Sequence, residues 1–419
     1  MLTRVEISGF KSFVDFSVDL GPLTVIAGAN ASGKSNFFEA LDVISKVATV
    51  EDWESSVDGR GLLSRSFTKY SGNHSADMIK FAVEFTLPIP KKDNFFQPLK
   101  YRSFRYAVSL KIGEHFGYRG LLITDEFLIN TEEESARPLI YCVDKEDKVI
   151  KGEKTILSDL RLDLKSSALS QATFTGDAYK YSCREYLKHI RLLNLSAVEH
   201  FTDYGRKSDS NVLATLTRTK QVRPSAFGYL SQRLRDIISD FSEVNVYTDD
   251  LERRTVTATD RDGRQFSAEY LSEGTLRTIV LATLLLPQSA NQIIMIEEPE
   301  NGIDPRVLAK LVHLMADIVS QPPEHNRASQ IICSTHSPVL LQAALNLNRE
   351  VEAKVLLSTK VSYIHDTAWG RVTAKVTRFN PVVDEASVNG SITPIQRYTL
   401  SMAQDYLNAG NVPQTQEDA

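Results

Sequence analysis

An α/β fold built on a parallel sheet, with a site along the C-terminal edge of its strands, is what the sequence predicts, on three observations. Apolar strand-like runs at Leu23–Ala27, Ile293–Ile296 and Gln330–Ser334 are followed by polar residues. The first leads into a glycine-rich turn and a helix-like run from Lys34 to about Val47. Strands buried on both faces read as continuous apolar runs, and polar residues gathered at their C-terminal ends mark the ligand edge of such a sheet. The composition, 42% hydrophobic and 24% charged over 419 residues, is ordinary for a soluble globular chain of two or three domains and excludes fibres and wholesale disorder.

In chain order, residues 2–7 and 23–27 read as strands and 34–47 as a helix, so 1–50 forms the first half of a head. Residues 51–250 differ in texture. Alternating stretches at Met78–Leu87 and Tyr101–Ile112 give way to helix-like segments near 184–193 and 225–242, which predicts a compact α+β insertion, β-rich and then helical. No heptad persists there, so no long coiled-coil arm is expected. Residues 251–350 complete the head. A strand at Lys354–Ile364, a polar link and a helix at Thr393–Leu407 make a C-terminal α/β extension over 351–407, followed by a flexible polar tail at 408–419.

Lysine and arginine total 48 against 53 aspartates and glutamates, a net charge of -5, so any nucleic-acid contact must be local. Cys142, Cys183 and Cys333 are odd in number, far apart and without CxxC spacing, which disfavours a disulfide framework and a zinc site and fits a reducing cytoplasm. The first ten residues mix charges into apolar positions, unlike a secretory signal, and the run Ile279–Leu286 is too short to span a bilayer. A cytoplasmic location and no membrane contact are expected.

Gly28-Ala29-Asn30-Ala31-Ser32-Gly33-Lys34-Ser35 fits GxxxxGK[ST], a loop whose backbone N–H groups and following helix N-terminus bind phosphates. Lys34 is expected to neutralise the β- and γ-phosphates of ATP, and the Ser35 hydroxyl to ligate Mg²⁺. The strand at 293–296 delivers Glu297 and Glu298. Glu297 is the expected second magnesium ligand, direct or through water, and Glu298 the base that orients or deprotonates the hydrolytic water.

Leu271-Ser272-Glu273-Gly274-Thr275 resembles the signature motif of the ATP-binding-cassette class, in which Ser272, Gly274 and a helix N-terminus would grip a γ-phosphate. A plain helix cap is the alternative for those two residues. Asn301-Gly302-Ile303-Asp304 fits that class's D-loop. His336, in Ser334-Thr335-His336-Ser337-Pro338, stands where the class places a histidine that contacts the γ-phosphate.

Gly9-Phe10-Lys11-Ser12-Phe13, together with the phosphate loop through Asn36, resembles the N-terminal segment of structural-maintenance-of-chromosomes (SMC) ATPase heads and their recombination-repair relatives. Residues 271–277, 296–302 and 334–338 are closer still to a prokaryotic subgroup of stand-alone predicted AAA-type ATPases, as is Asp209–Ala214. The resemblance implies a P-loop NTPase head of the ABC/SMC type that forms an ATP-dependent homodimer around two nucleotides. Each ATP would sit between one subunit's phosphate loop and the other's signature motif, with Lys11 and Asn30 nearby. It also implies a slow ATPase acting as sensor or scaffold beside an effector protein in anti-phage defence. Three departures stand out: Glu297 where most cassette ATPases have Asp, Glu273 where the signature has Gly, and no recognisable context for Gln97 or Gln171 as the metal-coordinating glutamine.

Other readings compete. A transporter cassette does not fit the 236 residues between Ser35 and Ser272, and a metal-dependent nuclease domain has no acidic strand end after the head. A DNA-handling ATPase of repair or chromosome type remains. Tyr204–Asp236 carries a local charge of +5, from Arg206, Lys207, Arg218, Lys220, Arg223, Arg233 and Arg235 against Asp209 and Asp236, with Phe227 and Tyr229 interleaved. DNA or RNA could lie there, or a partner protein.

Overall fold

The computed structural model describes residues 1–58, 66–89, 100–115, 118–132, 138–143, 166–173, 178–193, 212–238, 240–248, 254–285, 292–320, 329–347, 353–367, 370–383 and 398–409. The expectations resting on Arg206, Lys207, Asp209, Gln97 and the tail from residue 410 lie outside them.

The chain begins with β1 (Leu2–Ser8), β2 (Phe16–Asp19) and β3 (Leu23–Ala27), then α1 (Lys34–Thr49) and α2 (Trp53–Asp58). Four long or edge strands follow, β4 (Ile79–Ile89), β5 (Lys100–His115), β6 (Tyr118–Asn130) and β7 (Ile140–Val143). Next come α3 (Ala178–Lys188), β8 (Ile190–Leu193), α4 (Val212–Val222) and α5 (Pro224–Ile237). A small antiparallel sheet is formed by β9 (Phe241–Thr248), β10 (Arg254–Asp260) and β11 (Gln265–Ser267). The remainder is α6 (Glu273–Leu285), β12 (Ile293–Glu297), α7 (Pro305–Ser320), β13 (Gln330–Thr335), α8 (Pro338–Leu347), β14 (Ala353–Thr367), β15 (Gly370–Val383), β16 (Tyr398–Thr399) and α9 (Leu400–Ala409).

The central sheet has the order β16-β15-β14-β3-β13-β12-β8, and β14, β3, β13, β12 and β8 run parallel. Its strands are apolar on both faces because both are covered. Val25, Ile294, Ile296 and Ile331 belong to a core shared with α6, α7 and α8; Ile26, Ile293, Met295 and Ile332 face α1 and a second, antiparallel sheet ordered β2-β1-β4-β5-β6-β7. The buried Gln330 joins the two sheets, its amide donating to the Leu2 and Gly21 carbonyls at 2.8 and 2.9 Å.

Strands from the expected insertion and C-terminal extension enter the same sheets as the head: β4 pairs with β1, β8 with β12, and β14 with β3. Several local expectations are corrected. The helix expected near 184–193 ends at Lys188, and Ile190–Leu193 is a strand; a short apolar run of this length fits either period until a neighbouring strand selects one. The helix expected at 225–242 starts at Pro224 and stops at Ile237, because Phe241–Thr248 pairs with β10 as strand β9. The polar link after 364 contains β15, whose buried Val372, Ala374 and Val376 alternate with exposed residues. The last helix begins at Leu400 rather than Thr393 and runs through Ala409, two residues into the expected tail. Among the described residues no helix is long and apolar enough to cross a membrane.

Candidate active site

Three strand ends stand side by side. Ala27 of β3 is in register with Thr335 of β13, and Ser334 with Glu297 of β12, so three of the sequence motifs emerge from one sheet edge at strand spacings of about 4.8 Å.

From β3 the chain turns at Gly28, whose N–H donates to the Thr335 carbonyl at 3.0 Å. A Cβ on Gly28 would lie 2.7 Å from Ser32 Oγ and 2.8 Å from the Ser358 carbonyl, so only glycine fits. Ala31 (φ 63°) and Gly33 (φ 112°) are left-handed, and Gly33 caps α1, whose first N–H groups are left without intrahelical partners. Asn30, Ala31 and Ser35 are exposed. Lys34 is buried and its Nζ donates to the Gly28 and Ala29 carbonyls at 2.6 and 3.0 Å. Burial pushes its ammonium below the ordinary lysine range, opposed by the carboxylates of Glu298, Glu300 and Glu297. Ser32 Oγ is buried with no hydrogen-bond partner, a polar atom available to a phosphate oxygen.

Lys11 (φ 48°) pairs with Glu39 of α1 and lines a cavity of about 530 Å³ with Ser12, Asn36, Lys69 and Lys375. Asn36 Nδ2 donates to Ser12 Oγ at 2.9 Å. The phosphate-loop candidates and Lys11 are thus brought together around the N-terminus of α1.

Beyond β12, Glu298 takes a left-handed conformation (φ 45°), which costs a non-glycine residue about 1–2 kcal/mol and re-aims its side chain. Its N–H donates to the Ser334 carbonyl at 3.0 Å, Oε2 accepts from Asn301 Nδ2 at 3.0 Å, and Oε1 lies 3.5 Å from His336 Nδ1. The sequence motifs assign no role to Glu300, although it is two residues from Glu298. Its Oε1 accepts from Thr335 Oγ1 and from the His336 N–H, both at 2.7 Å, and lies 3.1 Å from His336 Nδ1. Glu300 therefore holds the histidine turn against the acidic strand end.

Ser272 and Gly274 belong to a neighbouring group. Ser272 Oγ accepts from the Thr275 N–H at 3.2 Å, capping α6, and the residue is exposed. Glu273 pairs with Arg277 at 2.8 Å, and Arg277 donates to the Asn301 carbonyl at 2.8 Å. Asn301 thereby links the Glu298 carboxylate to the first turn of α6, another connection that the motif letters alone did not give. Of the other glutamine candidates, Gln171 is exposed.

The described part of the basic segment is partly neutralised. Lys220 donates to Asn245 Oδ1 at 2.6 Å and lies over the Phe227 ring, while Arg233 pairs with Asp317 at 2.6 Å and packs on Tyr229. Arg218 and Arg235 are exposed.

Residues 23–342 match the family model described as "AAA domain, putative AbiEii toxin, Type IV TA system". The chain is similar in structure to an Smc head bound to the C-terminal winged-helix domain of ScpA, with TM-score 0.52 and 14% identity over 92% of this chain and 99% of that one. The SMC head domain from Thermotoga maritima aligns over 91% and 99% of the two chains at 15% identity, with a TM-score of 0.45 that is too low to carry weight. No curated protein matches. At such identity the first likeness concerns the fold, which is that of an SMC-type P-loop NTPase head.

Proposed function

The chain belongs to this AAA-domain family, and on that footing we propose that it binds and slowly hydrolyses ATP with Mg²⁺ as a sandwich homodimer. The observation that carries the reading is the register that sets Gly28, Glu297 and His336 at one sheet edge, with Lys34 buried in the field of three carboxylates. The loop from Gly28 to Asn36 holds the phosphates, with Lys34 Nζ exchanging loop carbonyls for phosphate oxygens. Ser35 and Glu297 would hold the magnesium ion, which when bound neutralises phosphate charge. Glu298 accepts the proton of the attacking water, its orientation fixed by Asn301, and His336 donates toward the γ-phosphate. Lys11 and Asn30 flank the nucleotide.

Ser272, at the N-terminus of α6 with Gly274, would serve the nucleotide of a second copy, a reading that its exposure supports. The family description names a toxin of a toxin–antitoxin system, which supports a cytoplasmic sensor or scaffold ATPase working with an effector protein in prokaryotic defence. A second reading, DNA or RNA handling, is favoured by exposed Arg218 and Arg235, with the aromatic Phe227 and Tyr229 between them in sequence.

Mixing Lys34→Ala with Ser272→Arg tests the composite site. Each alone should be inactive, yet random exchange yields about half mixed dimers with one intact site, so about a quarter of wild-type turnover should return. ATP-dependent dimerisation, measured in parallel with Glu298→Gln, guards against coupling between sites. No recovery, in a protein that stays monomeric with ATP, would overturn the sandwich.

A further inference from the structure

The Ser32 carbonyl accepts two hydroxyl hydrogen bonds from the C-terminal hairpin, from Thr377 Oγ1 of β15 at 2.8 Å and from Ser358 Oγ of β14 at 3.2 Å. Thr377 Oγ1 is also 2.7 Å from Ser12 Oγ, which accepts from Asn36 Nδ2 at 2.9 Å. The ends of this chain fix its direction. An amide NH₂ only donates and a carbonyl only accepts, so Asn36 donates to Ser12, Ser12 to Thr377, and Thr377 to Ser32. Ser12, Ser32, Ser358 and Thr377 are all buried, and the Thr377 N–H donates to the Ser12 carbonyl at 2.7 Å.

In a trans peptide the carbonyl of one residue and the N–H of the next point to opposite sides. Fixing the Ser32 carbonyl on the hairpin turns the Gly33 N–H away from the hairpin, and Asn30, Ala31 and Ser35 of the same loop are exposed. The fit is close: a Cβ on Gly33 would lie 2.0 Å from Thr377 Oγ1.

We propose that Thr377, supported by Ser358 and Ser12, is a positioning residue for nucleotide: it locks the Ser32–Gly33 peptide so that the Gly33 N–H meets a phosphate oxygen. The proposal rests on the nucleotide reading of the loop.

Titration with a fluorescent N-methylanthraniloyl-ATP would test it in wild type, Thr377→Val, Thr377→Ser and Lys34→Ala. The isosteric valine should weaken binding about tenfold, and serine should restore it to within about twofold. In turnover the valine effect should appear in KM with kcat little changed, a split that a merely structural role would not produce. Wild-type affinity in Thr377→Val, when Lys34→Ala has lost binding, would overturn the clamp and leave the nucleotide site standing. No binding by wild type would overturn both. Should Thr377→Val fail to fold, Thr377→Ala removes the same hydroxyl, and an affinity equal to wild type there would also overturn the clamp.

Discussion

Gly274 and Gly302 touch: a Cβ added to Gly274 would lie 2.6 Å from the Gly302 carbonyl oxygen. Alanine in a helix is favoured over glycine by about 1 kcal/mol, whereas displacing packed backbone costs about 1–3 kcal/mol. Because the obstacle is a main-chain carbonyl, the second effect wins. Gly274→Ala should lower stability by about 1 kcal/mol in urea melts. Turnover should fall further, because Asn301 would be displaced from Glu298. A stabilised variant would contradict the packing of α6 on this turn.

Glu298→Gln should retain nucleotide affinity and lose hydrolysis by at least about a hundredfold, since the amide keeps the shape and the Asn301 contact but cannot accept the proton. Phosphate release and fluorescent-nucleotide binding measure the two properties separately. Normal turnover would remove Glu298 from the mechanism.

Glu300→Ala strips the acceptor from the Thr335 hydroxyl and the His336 N–H. Hydrogen bonds to a charged group of this kind contribute about 1.5–3 kcal/mol each, so a stability loss of about 3–6 kcal/mol is expected from the two. Hydrolysis should drop about tenfold as His336 drifts, with Glu300→Gln intermediate. Equal turnover in all three proteins would mean that the histidine position is irrelevant to the reaction.

Arg218→Glu, Lys220→Glu and Arg223→Glu combined should leave basal ATPase unchanged and weaken whichever partner uses α4 and α5. A steep loss of DNA or RNA affinity with salt would favour nucleic acid. Absence of binding at low salt would eliminate that reading.

Glu6 accepts hydrogen bonds from Arg105 at 2.5 and 3.2 Å, and these hold its carboxyl below the usual range against the opposing effect of burial. A depressed folded-state pKa contributes stability above the unfolded value that is lost as pH falls through the folded one. Glu6→Gln should therefore be less stable than wild type near neutrality, the gap closing on acidification. Solvent screening keeps the effect modest. Urea midpoints from about pH 7 to 3 would report it, and a gap independent of pH would refute the linkage.

The three strands beneath the site were legible because each is a short apolar run ending in chemically distinctive residues. Leu23–Ala27 coincides with β3, and Lys34 opens α1 as expected. What the sequence did not disclose came from distant partners. Ser358 and Thr377 are ordinary strand residues until the sheet sets β14 against β3. Glu300 was hidden beside Glu298 because spacing shows that a carboxylate is near but not which backbone N–H it accepts from. The helix expected at 184–193 overruns for the same reason: it ends at Lys188, and Ile190–Leu193 becomes a strand through pairing with β12.

The placement of β14 against β3, with Ala353 beside Leu23, has a consequence for biosynthesis. Leu23 of the strand that leads into the phosphate loop leaves the ribosome long before Gln330 of β13 and Ala353 of β14, the strands it comes to lie between. For most of that interval both edges of an apolar strand lack their partners, a state that invites wrong pairings and delays folding through large loop closures. Completion of the nucleotide pocket thus waits for β14, and a nascent chain stalled before residue 353 holds the loop's letters without the walls that shape it.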